Sequence, residues 1–272
     1  MRVLLTNDDG IAAQGLQTLR RALLELPGVQ LAVVAPDGNR SATARSITTR
    51  RPLTVREVRF DDGTVGYATD GTPVDCVRLT QLGLIDDFEI DVVVSGINHG
   101  ANLGDDVTYS GTVAAALEAI LLDVPGIAVS QHSPDGPCDF TTGDGFDFST
   151  TAAFAARVVE RLEDVALAPG TLLNINAPSA RPDGVRVARL GKRTYSDTLR
   201  LIDDDAEGRV YEIYGEAMLQ GETDTDLAAV AAGQIAVTPL HFDLTDVAGM
   251  DALARSGLSA LLHPVAREVG ER

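Results

Sequence analysis

The chain has 272 residues, 44% of them hydrophobic, with 40 Asp and Glu against 22 Lys and Arg and a formal net charge of -18. That length suits one large domain or a domain with an appended lobe, and the apolar content argues against disorder. The acidic balance argues against long nucleic acid as a partner, because phosphate backbones are bound by basic surfaces, whereas small anions can approach if a bound cation supplies local positive charge.

Apolar runs are short, and none approaches the roughly 20 residues needed to span a bilayer, so a membrane is not an expected partner. The N-terminus carries one arginine and a brief apolar run, without the long h-region or cleavage site of a signal peptide. Cys76 and Cys138 stand far apart in no CxxC pattern, which argues against a zinc site or disulfide framework, and both read as small hydrophobes. Cytoplasmic localisation is the expectation. Lys192 is the only lysine, and no GxxxxGK[ST] exists, which excludes a P-loop nucleotide hydrolase.

In chain order, Val3 to Thr6 reads as the first strand and Leu16, Leu19, Leu23 and Leu26 recur at helical spacing. Leu31 to Ala35 is a second strand, stopped by Pro36, and the polar stretch to Ser46 reads as a loop at its end. Leu53 to Val58 alternates like a half-exposed strand, and Thr72-Pro73 opens a helix through Val77 and Leu82. Ile90 to Ser95 is a buried strand leading into GINHGANLGDDVTYSGT, a long Gly-, Asn- and Asp-rich stretch read as a binding loop. A helix from Val113 to Leu122, a strand Ile127 to Ser130, a helix from Ser149 to about Leu162 and a strand Thr171 to Asn176 follow. This alternation predicts an α/β fold with a mostly parallel sheet flanked by helices. Beyond Pro178, Val185 to Leu190 and Val210 to Ile213 read as antiparallel strands flanking an acidic loop, LIDDDAEG, hence a β arm. Thr225 to Ala232, Ile235 to Pro239 and Val247 to Leu262 read as helix, strand and closing helix.

Ligands of an open parallel sheet bind outside the carboxyl ends of the strands. Three polar loops leave such ends: NDDG, DGNRSAT and SGINHGAN. Asp8 and Asp9 stand side by side before Gly10, and two adjacent anions either stay in water or gather positive charge. The carboxylates of Asp8 and Asp9, a hydroxyl such as Ser41 and an amide oxygen such as Asn98 make a hard all-oxygen set suited to magnesium or manganese. Ser110-Gly111-Thr112 stands before an alanine-rich helix, where backbone amides can cradle a phosphate, although each residue is also an ordinary cap. GxGxxG after the first strand, HExxH and GxSxG are absent. His99, His132, His241 and His263 form no ligand-spaced pair, and His99 reads as structural or solvated. Arg40 suits either a phosphate contact or solvent.

With these residues assembled, the sequence resembles the SurE family, the stationary-phase survival proteins that act as metal-dependent nucleotidases. The resemblance lies in LLTNDDG, RSATARSIT, TDGTPVDCV, SGINHGANLGDDVTYSGTVAAALEA and TDTDLAAVAAGQIAVTPL, from the first residues to about Leu240. It implies a Rossmann-like catalytic domain over 1–180. Residues 181–272 would supply the antiparallel β arm, return strand and C-terminal helix, used in a homodimer or homotetramer. It also implies one divalent metal (Mg2+ or Mn2+) per subunit, held by Asp8, Asp9, Ser41 and Asn98, with Asp8 and Asp9 catalytic and Asn98, Ser110, Gly111 and Thr112 binding phosphate. The implied reaction is hydrolysis of nucleoside 5′- and 3′-monophosphates to nucleoside and phosphate. A broad phosphatase or exopolyphosphatase and a non-catalytic nucleotide sensor are the alternatives. Nucleoside selection has only arm aromatics such as Tyr195 or Tyr211 as candidates, and both equally suit packing.

Overall fold

The structure, a computed structural model, describes residues 1–133, 145–165, 167–195, 198–205, 208–214, 217–219 and 222–262. Cys138 and His263 lie outside them, as does the side chain of Tyr195. In chain order the elements are β1 (Arg2–Thr6), α1 (Gln14–Leu24), β2 (Gln30–Pro36), β3 (Val55–Arg59), β4 (Val65–Thr69), α2 (Pro73–Leu79), β5 (Val92–His99), α3 (Gly111–Leu121), β6 (Gly126–Gln131) and α4 (Ser149–Glu160). They continue with β7 (Thr171–Ala177), β8 (Gly184–Val187), β9 (Arg193–Tyr195), β10 (Thr198–Asp205), β11 (Gly208–Tyr214), β12 (Ala217–Leu219), α5 (Asp226–Ala231), β13 (Gln234–His241) and α6 (Val247–Arg255).

Nine strands make one sheet in the order β3-β4-β2-β1-β5-β6-β7-β13-β8. From β4 to β7 all pairs are parallel, while β3 and β13 run antiparallel to β4 and β7. The period-2 alternation of strand side chains divides the core between the two faces. Val3 and Leu5 of β1 join Leu16, Leu19 and Leu23 of α1 and Ala155 of α4 on one face. Leu4 between them joins Cys76 and Val77 of α2 and Ala115 of α3 on the other. Strands buried on both faces lack alternation in sequence, which is why VLL, AVV and VVV read as continuous apolar runs. Cys76 is a fully buried free thiol whose pKa burial pushes up, so it behaves as a small core residue. From β1 the chain steps to β2 on one side of the sheet and returns to β5 on the other. That reversal places a crevice at the carboxyl ends of β1 and β5.

Several boundaries differ from the sequence reading. β4 is additional: the turn at Asp61 to Gly63 closes a β3–β4 hairpin, with Gly63 at φ 81°. β5 continues to His99, because pairing with β6 resumes at Asn98 and His99 after an irregularity, so Asn98 lies within the end of a strand and not in the loop. In the arm, β10 and β11 pair antiparallel, and the acidic Leu201 to Asp205 is strand, not loop. β8 instead pairs parallel with β13, inside the main sheet.

The chain divides into two compact units, Met1–His241 and Phe242–Arg272. In the second, Asp246 caps α6 by accepting from the Gly249 amide at 2.9 Å. The single helix expected through Leu262 is interrupted at Gly257, which takes φ 76°, and a 3-10 turn follows over Leu258–Leu262. Among the described residues no helix is long and apolar enough to cross a membrane.

Candidate active site

The loop after β1 is shaped by Asn7. Its side-chain amide donates to the Gly10 carbonyl at 2.9 Å and its side-chain oxygen accepts from the Gly10 amide at 3.2 Å. Gly10 takes φ +107°, and a Cβ there would sit 3.1 Å from Gly38 Cα. Glycine is therefore required twice, for the conformation and for the approach of the loop after β2. The two loops are also joined by the Arg40 amide donating to the Asp8 carbonyl at 2.6 Å and by the Ile11 amide donating to the Pro36 carbonyl at 2.8 Å.

Asp8 is buried, and Thr112 Oγ1 donates to its Oδ1 at 2.5 Å. Gly111 is the residue that lets α3 come this close, since a Cβ there would lie 2.9 Å from both Asp8 Cβ and Asp8 Oδ2. Ser110 caps the helix, its Oγ accepting from the Val113 amide at 3.1 Å. Asp9 Oδ2 accepts from the backbone amide of His99 at 3.0 Å, which fixes it against the end of β5 beside Asn98. The Asn98 side-chain amide donates to the Gly100 carbonyl at 2.7 Å, leaving its side-chain oxygen as a further acceptor. Ser41 is exposed and follows Arg40, and its backbone amide donates to Asn39 Oδ1 at 2.7 Å. The loop carrying it is unusual in placing Ala42 and Ala44 at φ 56° and 51°. Non-glycine residues in that region are often found at functional sites.

Asp8, Asp9, Asn98 and Ser110 to Thr112 thus meet on one sheet edge, with the Ser41 loop stitched to Asp8 through its backbone. Two roles differ from the simple reading. The Thr112 hydroxyl is engaged with Asp8, toward which its backbone amide is also directed, and the Val113 amide is taken by the Ser110 cap. The Arg40 guanidinium is occupied by Asp37 Oδ1 at 2.7 Å and the Asn39 carbonyl at 3.1 Å.

Burial raises the pKa of both aspartates, Asp8 being raised further by the charge of Asp9, while the Thr112 hydroxyl and the His99 amide oppose the respective shifts. Among the described residues neither carboxylate forms an ion pair. A buried carboxylate pair held by neutral donors, with the Asn98 side chain at the adjoining end of β5, fits a hard divalent cation, which would supply the charge the protein leaves out.

His99 is a contact that its isolated position in the sequence concealed. Its ring stacks on Phe148 at 4.9 Å and Phe146 at 5.2 Å between centroids, and Nε2 accepts from the Gly15 amide at 3.3 Å. Burial lowers its pKa, so the ring is held neutral while its backbone amide positions Asp9.

Fold and site together define an α/β protein with a buried, oxygen-rich carboxylate pair beside a helix N-terminus at the sheet's switch point. The family model described as Survival protein SurE matches residues 3–197. A protein of Rubrobacter xylanophilus named 5'-nucleotidase SurE is 51% identical over 265 residues, covering 93% of this chain and 96% of that protein. One of the same name from Pelotomaculum thermopropionicum is 44% identical over 261 residues, covering 94% and 95%. The crystal structure of the SurE protein from Aquifex aeolicus superposes with a TM-score of 0.78 at 36% identity, covering 93% of this chain and 98% of that one. The chain belongs to the SurE family.

Proposed function

We propose that the protein hydrolyses nucleoside 5′-monophosphates, and 3′-monophosphates with them, to nucleoside and inorganic phosphate. The carrying observation is the contact of α3 with Asp8, which sets the amides of a helix N-terminus against a buried carboxylate pair. Relatives that are 51% and 44% identical over nearly the whole chain are named 5'-nucleotidases, which supports the substrate class. In this reading Asp8, Asp9, Ser41 and Asn98 hold one divalent cation, Mg2+ or Mn2+. When bound, the cation supplies positive charge to the phosphoryl group and acidifies water.

The chain's own residues do the rest. The amides at Ser110, Gly111 and Thr112, with Asn98, bind the phosphoryl oxygens and stabilise the charge that grows on them. Thr112 holds Asp8 and His99 holds Asp9, so the carboxylates are oriented before substrate arrives. Asp8 and Asp9 then act as one coupled pair in orienting the attacking water and taking its proton.

We assign the catalytic work to residues 1–180 and assembly of a homodimer or homotetramer to 181–272, of which β8 and β13 also complete the main sheet. Leu199, Leu201, Ile202, Val210 and Tyr211 are exposed on β10 and β11, an apolar surface that supports such an interface. We place the protein in the cytoplasm.

The test is inorganic phosphate release from 5′- and 3′-nucleoside monophosphates and short polyphosphate, with Mg2+ or Mn2+ restored after chelation. Metal-dependent release from monophosphates is expected. Faster release from polyphosphate would favour the exopolyphosphatase reading, and nucleotide binding without release would overturn hydrolysis in favour of sensing.

A further inference from the structure

The loop that delivers Ser110 to the site leaves β5 at His99 and enters a 3-10 turn over Gly104–Thr108. It is anchored at two buried points. At the first, the Asn102 amide donates to Asn176 Oδ1 at 2.7 Å, and the Asn174 and Asn176 side-chain amides donate to the Asn102 carbonyl at 2.9 and 3.0 Å. This ties the loop to β7. The second anchor is Asp226, the first residue of α5, which is fully buried. Its Oδ2 accepts from the Gly104 amide at 2.8 Å, and its Oδ1 accepts from the Gly191 and Leu227 amides, each at 2.8 Å.

Gly191 is where the chain leaves for β9 and the arm, and residues 224–226 are where it returns. Both sides of this root are stitched together, the Asp226 amide donating to the Arg189 carbonyl at 2.9 Å and the Arg189 amide to the Asp224 carbonyl at 3.4 Å. The backbones themselves are in contact. Gly104 takes φ +55°, and a Cβ there would sit 2.6 Å from the Gly191 carbonyl oxygen. Leu103 and Leu227 seal the same junction in one apolar cluster. From Gly104 the turn runs through the Leu103 to Asp106 and Asp106 to Tyr109 backbone hydrogen bonds directly into the α3 cap.

We propose that Asp226 is a positioning residue, which sets the placement of the phosphate-binding amides by locking the loop at Gly104 to the arm root at Gly191. The inference rests on the cradle assigned under the proposed function. One carboxyl group whose two oxygens grip separate backbones makes displacement of the arm root a displacement of the cradle. A carboxyl group that served packing alone would hold α5 without affecting phosphate affinity.

The test uses the full chain with Asp226→Asn, which turns one acceptor into a donor facing a backbone N–H, and Gly191→Ala, whose Cβ would press on Leu227 Cδ1 at 2.8 Å. KM and kcat for a nucleoside 5′-monophosphate, competitive inhibition by inorganic phosphate at saturating Mn2+, and amide hydrogen exchange are measured. Loss of one strong hydrogen bond predicts that KM and the phosphate inhibition constant rise together by about tenfold while kcat stays within about twofold. Exchange at residues 100–112 accelerates. A folded Asp226→Asn protein with unchanged KM and phosphate inhibition overturns the proposal, as does a fall in kcat alone, which reports fewer active molecules. If Asp226→Asn does not fold, Gly191→Ala decides in the same terms. If wild type releases no phosphate, the proposed function fails, and exchange at residues 100–112 still judges the tether: unchanged protection in the variants sinks it.

Discussion

Thr112→Val removes the hydroxyl that donates to Asp8 Oδ1 while keeping nearly the same shape at a fully buried position. A hydrogen bond to a charged group contributes roughly 1.5–3 kcal/mol, and here it favours the ionised form of Asp8 against burial and the neighbouring Asp9. Its loss raises the Asp8 pKa further, so more of the protein must release a proton before a cation binds. Starting from about 6, a rise of about one to two units at about 1.4 kcal/mol per unit lowers the affinity for Mn2+ at pH 7 by about 2- to 15-fold. Calorimetric titration of chelator-treated protein measures this directly, with phosphate release against Mn2+ concentration alongside. The deficit shrinks as pH rises, because proton competition fades, and Thr112→Ser, which keeps the hydroxyl, binds Mn2+ like wild type. Folded Thr112→Val with wild-type Mn2+ affinity at every pH would refute the reasoning.

Asp9→Asn should lower Mn2+ affinity and turnover together while raising metal-free stability at neutral pH by about 1 kcal/mol, since it relieves a repulsion felt by buried Asp8; paired melts with and without Mn2+ check the opposite signs. The raised folded-state pKa values of Asp8 and Asp9 mean that their contribution to metal-free stability is whole below the ordinary 3.8 and is lost as pH climbs through about 6. The Tm gap between Asp9→Asn and wild type without metal should therefore widen between pH 4 and pH 7, and a constant gap would contradict the assignment. Gly111→Ala forces a methyl to 2.9 Å from Asp8 and should cost about 1–3 kcal/mol of stability with a large loss of turnover, read by denaturant melts and phosphate release.

Much of this site was legible because its parts are local. Asn7 to Gly10 shape their own turn through an Asn side chain and a glycine, both visible in the sequence. The cap at Ser110 is likewise a short-range signal. The links that make these parts a site were not legible, because they join distant residues: Thr112 to Asp8 across 104 positions and Gly104 to Asp226 across 122. His99 looked isolated because its partners, Gly15, Phe146 and Phe148, come from other elements. In the fold, β10 escaped notice because the alternation of Leu199 and Leu201 is too short to announce a strand before it runs into the acidic Asp203 to Asp205, which reads as loop. β8 was given the wrong partner for a related reason. Its exposed Val185 and Val187 alternate like any edge strand, and alternation does not name the neighbour.

The placement of Asp8 against the first turn of α3 has a thermodynamic consequence. The partial positive charge of that helix end is already matched by a carboxylate, with a second carboxylate beside it, so an anion arriving alone meets net repulsion. A cation reverses that sign. In the proposed reading cation and phosphate affinities are therefore linked, each ligand strengthening the other by the same factor, so that phosphate would bind the metal-free protein more weakly.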